Sequence, residues 1–469
     1  MLFNSYIFWI SFCFVFFIYW VVPKKFQNIV LLIFSYCFYG LWDWRFLSLI
    51  MISTLVDFSV AKKIVDVPSK KRFYLLFSII TNIGILGIFK YLGFFIEQLN
   101  ALFFILGLSK LLPTIDLIIP VGISFYTFQT LSYTIDVYRN DSKPVSSLLD
   151  FALYVSFFPQ LVAGPIERSY RLLPQIIKPR LYTQVNLQEG FYYIIYGLFL
   201  KVVLADNMAF IVDAIYSQSP SELSGVDILF STYAFAFQIY GDFSGYSFIA
   251  IGLGKLFGIN LMMNFKKPYL SQSPSEFWRR WHISLSTWLR DYLYIPLGGN
   301  KKGTLMTFRN LFLTMLIGGL WHGVGWTYIV WGIFHGIILI LFRLIKFDLN
   351  FQFYNYLKKL LYVGKIIFMF HLICLGWVFF RSENLDYAFN AIYQVFYNFN
   401  YSDQSFSIIG LIIFFIFPIF IYEYWDEKRD FKIFNERPTA SLVLIFNYCF
   451  FMIIIFPAPM HKEFIYFQF

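Results

Sequence analysis

Residues 310–342 read NLFLTMLIGGLWHGVGWTYIVWGIFHGIILILF, 33 positions without a single Asp, Glu, Lys or Arg. A membrane span needs about 20 apolar residues, so this run is too long for one span and too short for two full spans with a loop. Gly318, Gly319, Gly323 and Gly325 cluster near its middle. Glycine at that density permits close helix packing or a broken helix, and irregular backbone at membrane depth survives only where protein or a water-filled cavity surrounds it. His322 sits in that interruption. An ionisable side chain at such a depth is a candidate functional group by default.

The rest of the chain agrees with that solvent. Of 469 residues, 59% are hydrophobic and only 14% charged, against about 25% charged in soluble domains. Apolar segments at 5–22, 27–42, 73–96, 189–216, 405–424 and 441–457 suggest roughly ten to twelve spans in all. The first lacks a basic n-region and a small-residue cleavage site, and reads as an uncleaved span. Lys24 and Lys25 follow it, which puts the first connection on the cytoplasmic side. Excess positive charge, 37 basic against 27 acidic residues, is therefore a topology signal. Nucleic-acid binding would need basic residues clustered on a soluble face, and the sequence offers no such domain. Cys13, Cys37, Cys374 and Cys449 lie far apart in apolar runs and read as small core hydrophobes, with neither a disulfide nor a zinc framework.

No soluble domain can be cut out, so residues 1–469 read as a single integral-membrane domain. Polar stretches interrupt it at 139–181, 259–310 and 425–440. The second carries Lys266, Lys267, Arg279, Arg280, Arg290, Lys301, Lys302 and Arg309 against Glu276 and Asp291, a cytoplasmic-side signature. Within it, SPSEFWRRWHISLSTWLRDYLYIPLGG carries a helix start: Ser273 as N-cap, Pro274 in the first turn and Glu276 completing a capping box. At helical spacing Phe277, Trp278, Trp281, His282, Leu285, Trp288, Leu289 and Tyr292 share one arc, with Arg279, Arg280, Arg290 and Asp291 on the other. That pattern predicts one amphipathic helix lying along the membrane surface, ended by Pro296, Gly298 and Gly299.

These residues resemble the membrane-bound O-acyltransferase superfamily, in particular its bacterial alginate and peptidoglycan O-acetylation branch. The matching text is FFPQLVAGPIER at 157–168, QIYGDFSGYSFIAIGLGKLFGIN at 238–260, NFKKPY at 264–269, FWRRWHISLSTWLRDYLYIPLGGN at 277–300, the stretch 310–336, and WVFFRS at 377–382. It covers about residues 115–385. Tyr240-Gly241, where relatives often carry a larger residue at the glycine, is a packing variation.

The resemblance implies an all-α polytopic fold: a ring of about eleven transmembrane helices, with broken and interfacial helices, around a central tunnel. It also implies that His322 is the catalytic histidine and His282 the second polar position, marking the tunnel's middle and its cytoplasmic mouth. An acetyl group would leave a cytoplasmic thioester, acetyl-CoA first among them, for an extracytoplasmic polysaccharide. A separate secreted acetyltransferase is the implied partner, and a bacterial inner membrane the implied location. No bound cofactor or metal is implied.

Chemistry fits those roles: a desolvated imidazole stays neutral and can take a hydroxyl proton. Against this stand plainer readings. His322 could be held between packed helices, and His282 could snorkel to the interface. Asp242 reads first as structural support, expensive to bury unless paired, and Trp321 as a supporting neighbour of His322. Arg279 and Arg280 suit donor phosphates or lipid headgroups equally well. His335, 13 residues beyond His322, stands more than three turns away if the helix continues; packing or a polar contact to a neighbouring helix is expected there and at His371, and His461 carries no signal. D-alanyl transfer from a carrier protein, and a secondary transporter with a broken helix, are the rival functions.

Overall fold

A computed structural model describes residues 3, 5–108, 112–113, 117–345, 355–427, 439–459, 462 and 464–465. His461 and positions 428–438 of the third polar stretch lie outside the described residues. Among those described, the chain is helical and forms no strand. The helices are α1 Tyr6–Val21, α2 Lys24–Asp43, α3 Leu47–Asp66, α4 Lys71–Leu86, α5 Leu92–Ile105, α6 Ile123–Arg139, α7 Leu148–Ser156, α8 Phe158–Leu161, α9 Ser169–Ile177 and α10 Gln184–Leu198. They continue with α11 Asp206–Tyr216, α12 Gly225–Leu256, α13 Pro274–Arg280, α14 Ile283–Leu289, α15 Thr304–His322, α16 Trp326–Ile345, α17 Asn355–Arg381, α18 Leu385–Tyr397, α19 Ser405–Glu427 and α20 Thr439–Ile455.

Among the described residues, six helical stretches are long and apolar enough to cross a bilayer: Lys24–Asp66, Pro68–Ile105, Gln184–Tyr216, Trp326–Ile345, Leu360–Arg381 and Ser405–Glu427. Two shorter apolar helices, Tyr6–Val21 and Ala440–Ile455, join them. All six apolar segments picked from the sequence fall on these elements. The protein is a multi-pass membrane protein.

The chain packs as two compact units. Residues 1–191 and 249–262 form the first. Its interior holds a polar knot in which the Asp57 carboxylate accepts from Ser78 Oγ (2.5 Å) and Asn82 Nδ2 (2.9 Å). Asn82 Oδ1 in turn accepts from Ser53 Oγ (2.5 Å) and Thr130 Oγ1 (3.3 Å), so one acid ties α3, α4 and α6 together. A buried carboxylate is tolerable only when donors surround it in this way.

Residues 192–248 and 263–469 form the second unit. Its centre is the stretch quoted first, which folds as a hairpin: α15 ends at His322, Gly323-Val324-Gly325 turn the chain, and α16 returns alongside. Small residues set the separation of the two helices. A Cβ on Gly332 would stand 2.6 Å from the Met315 carbonyl oxygen and 3.2 Å from the Gly319 Cα.

Two expectations change. Cys374 and Cys449 are buried, but Cys13 and Cys37 are exposed on their helices. A lipid-facing surface is as apolar as a core, so apolar context alone does not separate the two. His335 also moves much closer to His322 than an unbroken helix would allow, because the hairpin folds it back.

Gly332→Val is expected to destabilise the protein by roughly 1–3 kcal/mol through overpacking, read as a lower thermal midpoint and less folded protein in detergent. Gly364→Ala, on α17 with no atom within 4 Å of the added carbon, should leave both unchanged or slightly improved.

Candidate active site

The start of α13 is as the sequence spelled it. Ser273 Oγ accepts the Glu276 N–H (3.2 Å), and Pro274 occupies the first turn. The Glu276 carboxylate reaches back to the Gln272 N–H (2.9 Å).

The single amphipathic helix does not form. The chain leaves helical geometry at Trp281 and His282, and α14 starts afresh at Ile283. His282 itself adopts the left-handed conformation, φ 41°, which costs a non-glycine residue about 1–2 kcal/mol.

Tertiary contacts offset that cost. The run 264–266 lies beside the break and takes up the backbone groups it orphans. Lys266 N–H donates to the Arg280 carbonyl (2.9 Å), and Ile283 N–H donates to the Asn264 carbonyl (2.9 Å). Asn264 Oδ1 accepts from both the N–H (3.1 Å) and the Oγ (2.8 Å) of Ser284. The apolar face of both short helices also turns into the protein, with Phe277, Trp281, Leu285 and Leu289 buried. It does not lie against lipid as the arc suggested; helical spacing shows that one face is apolar, not what covers it.

The break aims His282 inward, where it is wholly buried. Its ring meets Phe243 edge-on at 4.5 Å, lies parallel to Phe265 at 6.5 Å, and stands 5.9 Å from Trp321 and 6.3 Å from His322. His322 ends α15 and is 4% exposed. Trp321 and Trp331 flank it at 5.0 Å each, and Phe380 at 5.5 Å. Two histidines 40 positions apart thus face each other in an aromatic enclosure. Burial holds the His282 imidazole well below its ordinary pKa, and neighbouring His322 adds to that effect. Such a ring is neutral at physiological pH and able to accept a proton.

Asp242 is placed differently. It lies on α12 next to Phe243, the ring that supports His282, and pairs with Lys201 (2.7 Å) while accepting the Ile465 N–H at 2.6 Å. Lys201 also pairs with Asp206 (2.8 Å) and donates to the Lys462 carbonyl (3.1 Å). This buried ion cluster anchors α12 behind the histidines. Sequence reasoning passed over Lys201, Asp206 and Asn264. The two charges were visible in an otherwise apolar span, where ionisable residues carry meaning. Asn264, in a polar loop, gave no such signal.

The arginines are already engaged. Arg280 bonds Glu276 and Glu427, each at 2.7 Å, and Arg279 is exposed with a 2.9 Å bond to Ser275 Oγ. Lys267 pairs with Asp426 (2.7 Å) and Glu427 (3.5 Å). Arg280, Lys266 and Lys267 line a cavity of about 430 Å³ together with Tyr192, Tyr240 and Phe265. Phe265, parallel to the His282 ring, is the wall this cavity shares with the histidine pair.

His371 makes the expected polar contact to a neighbouring helix, a 2.7 Å bond between its Nε2 and Tyr233 Oη. His335 packs among Phe277, Trp278, Trp331 and Phe334.

Two measurements check this arrangement. As pH falls through about 6.5, the unfolded chain takes up a proton at His282 that the folded chain refuses. The purified protein's thermal midpoint should therefore drop on acidification, and the drop should be smaller in His282→Gln. Lys201→Met, which strands two buried carboxylates, should cost about 3–5 kcal/mol and sharply reduce folded yield.

The family model for MBOAT, the membrane-bound O-acyltransferase family, matches residues 139–382. A probable alginate O-acetylase of Pseudomonas putida is 44% identical, over 83% of this chain and 79% of that protein. A peptidoglycan O-acetyltransferase of Helicobacter pylori is 38% identical, over 78% and 73% respectively. A teichoic acid D-alanyltransferase of Streptococcus thermophilus is 34% identical, over 50% and 60%. The match takes in His282, His322 and the hairpin between α15 and α16, and this chain belongs to the membrane-bound O-acyltransferase family as an acyltransferase of its bacterial O-acetylation branch.

Proposed function

We propose that the protein takes an acetyl group from a cytoplasmic thioester, acetyl-CoA, and passes it across a bacterial inner membrane for O-acetylation of an extracytoplasmic polysaccharide. The observation that carries this reading is the pair of buried histidines, ring centres 6.3 Å apart, in an enclosure that excludes water. Relatives named for alginate and peptidoglycan acetylation match about four fifths of the chain, whereas the D-alanyl relative matches half.

In this reading His322 takes the proton of the attacking hydroxyl. The hydroxyl oxygen forms its bond to the thioester carbonyl carbon, the carbon–sulfur bond breaks, and His322 returns the proton to the departing thiolate. His282 holds the donor's reacting end from the other side. The cavity beside Arg280, Lys266 and Lys267 receives the donor. Its aromatic walls suit the organic part, and its cations meet phosphate. A secreted acetyltransferase completes transfer to the glycan.

Membranes containing the protein and that partner should move labelled acetyl from acetyl-CoA to glycan. His322→Ala, at matched amounts of folded protein, should lower the rate by about 10²–10⁴, the range for losing a general base; His282→Ala should lower it less. Full activity in His322→Ala would overturn the mechanism. Donor consumption only from a D-alanyl carrier protein would replace the donor.

A further inference from the structure

Behind His322 lies a second polar group that this reaction scheme does not use. Trp331 stands between His322 and His335, with ring centres 5.0 Å and 4.6 Å away. Trp278 of α13 closes a triangle, 5.8 Å from Trp331 and 5.1 Å from His335. His335 is completely buried and Trp331 nearly so. Gly376 on α17 makes the room, since a Cβ there would stand 3.1 Å from His335 Nε2.

None of the three rings finds a polar partner. Both nitrogens of His335 and the indole nitrogens of Trp278 and Trp331 are buried without a hydrogen bond among the described residues. Leaving a buried polar group unsatisfied is unfavourable, and a phenyl ring would pack in this cage without that penalty. A neutral imidazole carries one donor and one acceptor, and each indole carries one donor. The triangle therefore offers three N–H donors and one acceptor, an excess that matches an oxygen acceptor from outside the chain.

We infer that Trp278, Trp331 and His335 form a binding site for an amide carbonyl oxygen on the arm of the acyl donor, holding the thioester at His322. This rests on the donor reading above. α13 also carries Arg280, which lines the donor cavity, so the triangle joins the helix at that cavity to the hairpin that carries His322. An arm with amide groups presents carbonyl oxygens along its length, whereas a plain alkyl thioester presents none beyond the reacting one. An ordered water would satisfy the same donors, and the experiment separates the two.

Acetyl transfer is measured with acetyl-CoA and with S-ethyl thioacetate, which lacks the amide arm, in wild type, His335→Phe and His335→Gln. The phenyl ring keeps the stacking and removes both nitrogens. KM for acetyl-CoA is expected to rise about 5- to 10-fold in His335→Phe, the worth of one neutral hydrogen bond. KM for S-ethyl thioacetate should not move, and His335→Gln should recover much of the loss. Should His335→Phe not fold, Trp278→Phe deletes one donor at the rim and is expected to show the same selective rise. A wild-type KM for acetyl-CoA in the variants, or an equal rise with both donors, would overturn the site in favour of packing or bound water. Wild type that consumes neither thioester would instead overturn the donor reading, and this site with it.

Discussion

A helix interrupted inside an apolar protein leaves backbone groups that water cannot reach, and the site depends on how they are satisfied. Asn264 takes the N–H groups of Ile283 and Ser284, and Lys266 supplies a donor to Arg280. Without that run, the chain at 281–282 would have every reason to stay helical. Because the interruption is bonded on both sides, His282 can hold a left-handed conformation and point into the protein. The second interruption, at 323–325, is a tight glycine-rich turn. It places His322 at a helix end, where it meets His282.

Charge is handled by the same rule. Lys201 with Asp206 and Asp242, and Asp57 with its amide and hydroxyl donors, are buried charges that face an opposite charge or hydrogen-bond donors. The network of Arg280, Lys267, Asp426 and Glu427 at the cavity is less buried and balanced between signs. A phosphate-bearing donor would compete there with carboxylates already in place, so the cations at this cavity are not a simple anion trap. The acids that line the cavity beside these cations, Glu423, Asp426 and Glu427, leave its charge close to balanced.

Aromatic rings do most of the enclosing. Phe243, Phe265, Trp321, Trp331 and Phe380 surround the two histidines. Rings of this size exclude water with few rotatable bonds, which keeps an imidazole neutral. The same packing makes the polar exceptions conspicuous. An imidazole and two indoles whose nitrogens find no hydrogen bond among the described residues lie one ring removed from His322, inside a cluster built mostly of rings.

Composition and spacing along the chain were enough for the solvent, the helical class, the apolar segments, the capped start at Ser273 and the place of His322 in a glycine-rich interruption. Each of these is local: composition, spacing or a run of neighbours is enough to specify it. Motif text added the family and pointed to His282. That the helical spacing at 277–292 breaks in two could be learned only from the fold, because the hydrogen bonds that compensate the break come from Asn264 and Lys266, outside the pattern. The fold likewise decided that Asp242 pairs with Lys201, 41 positions away, and that His335 lies one ring from His322. Spacing along a chain measures distance only while a helix runs straight; where it turns back or breaks, partners are chosen by packing that no stretch of sequence contains.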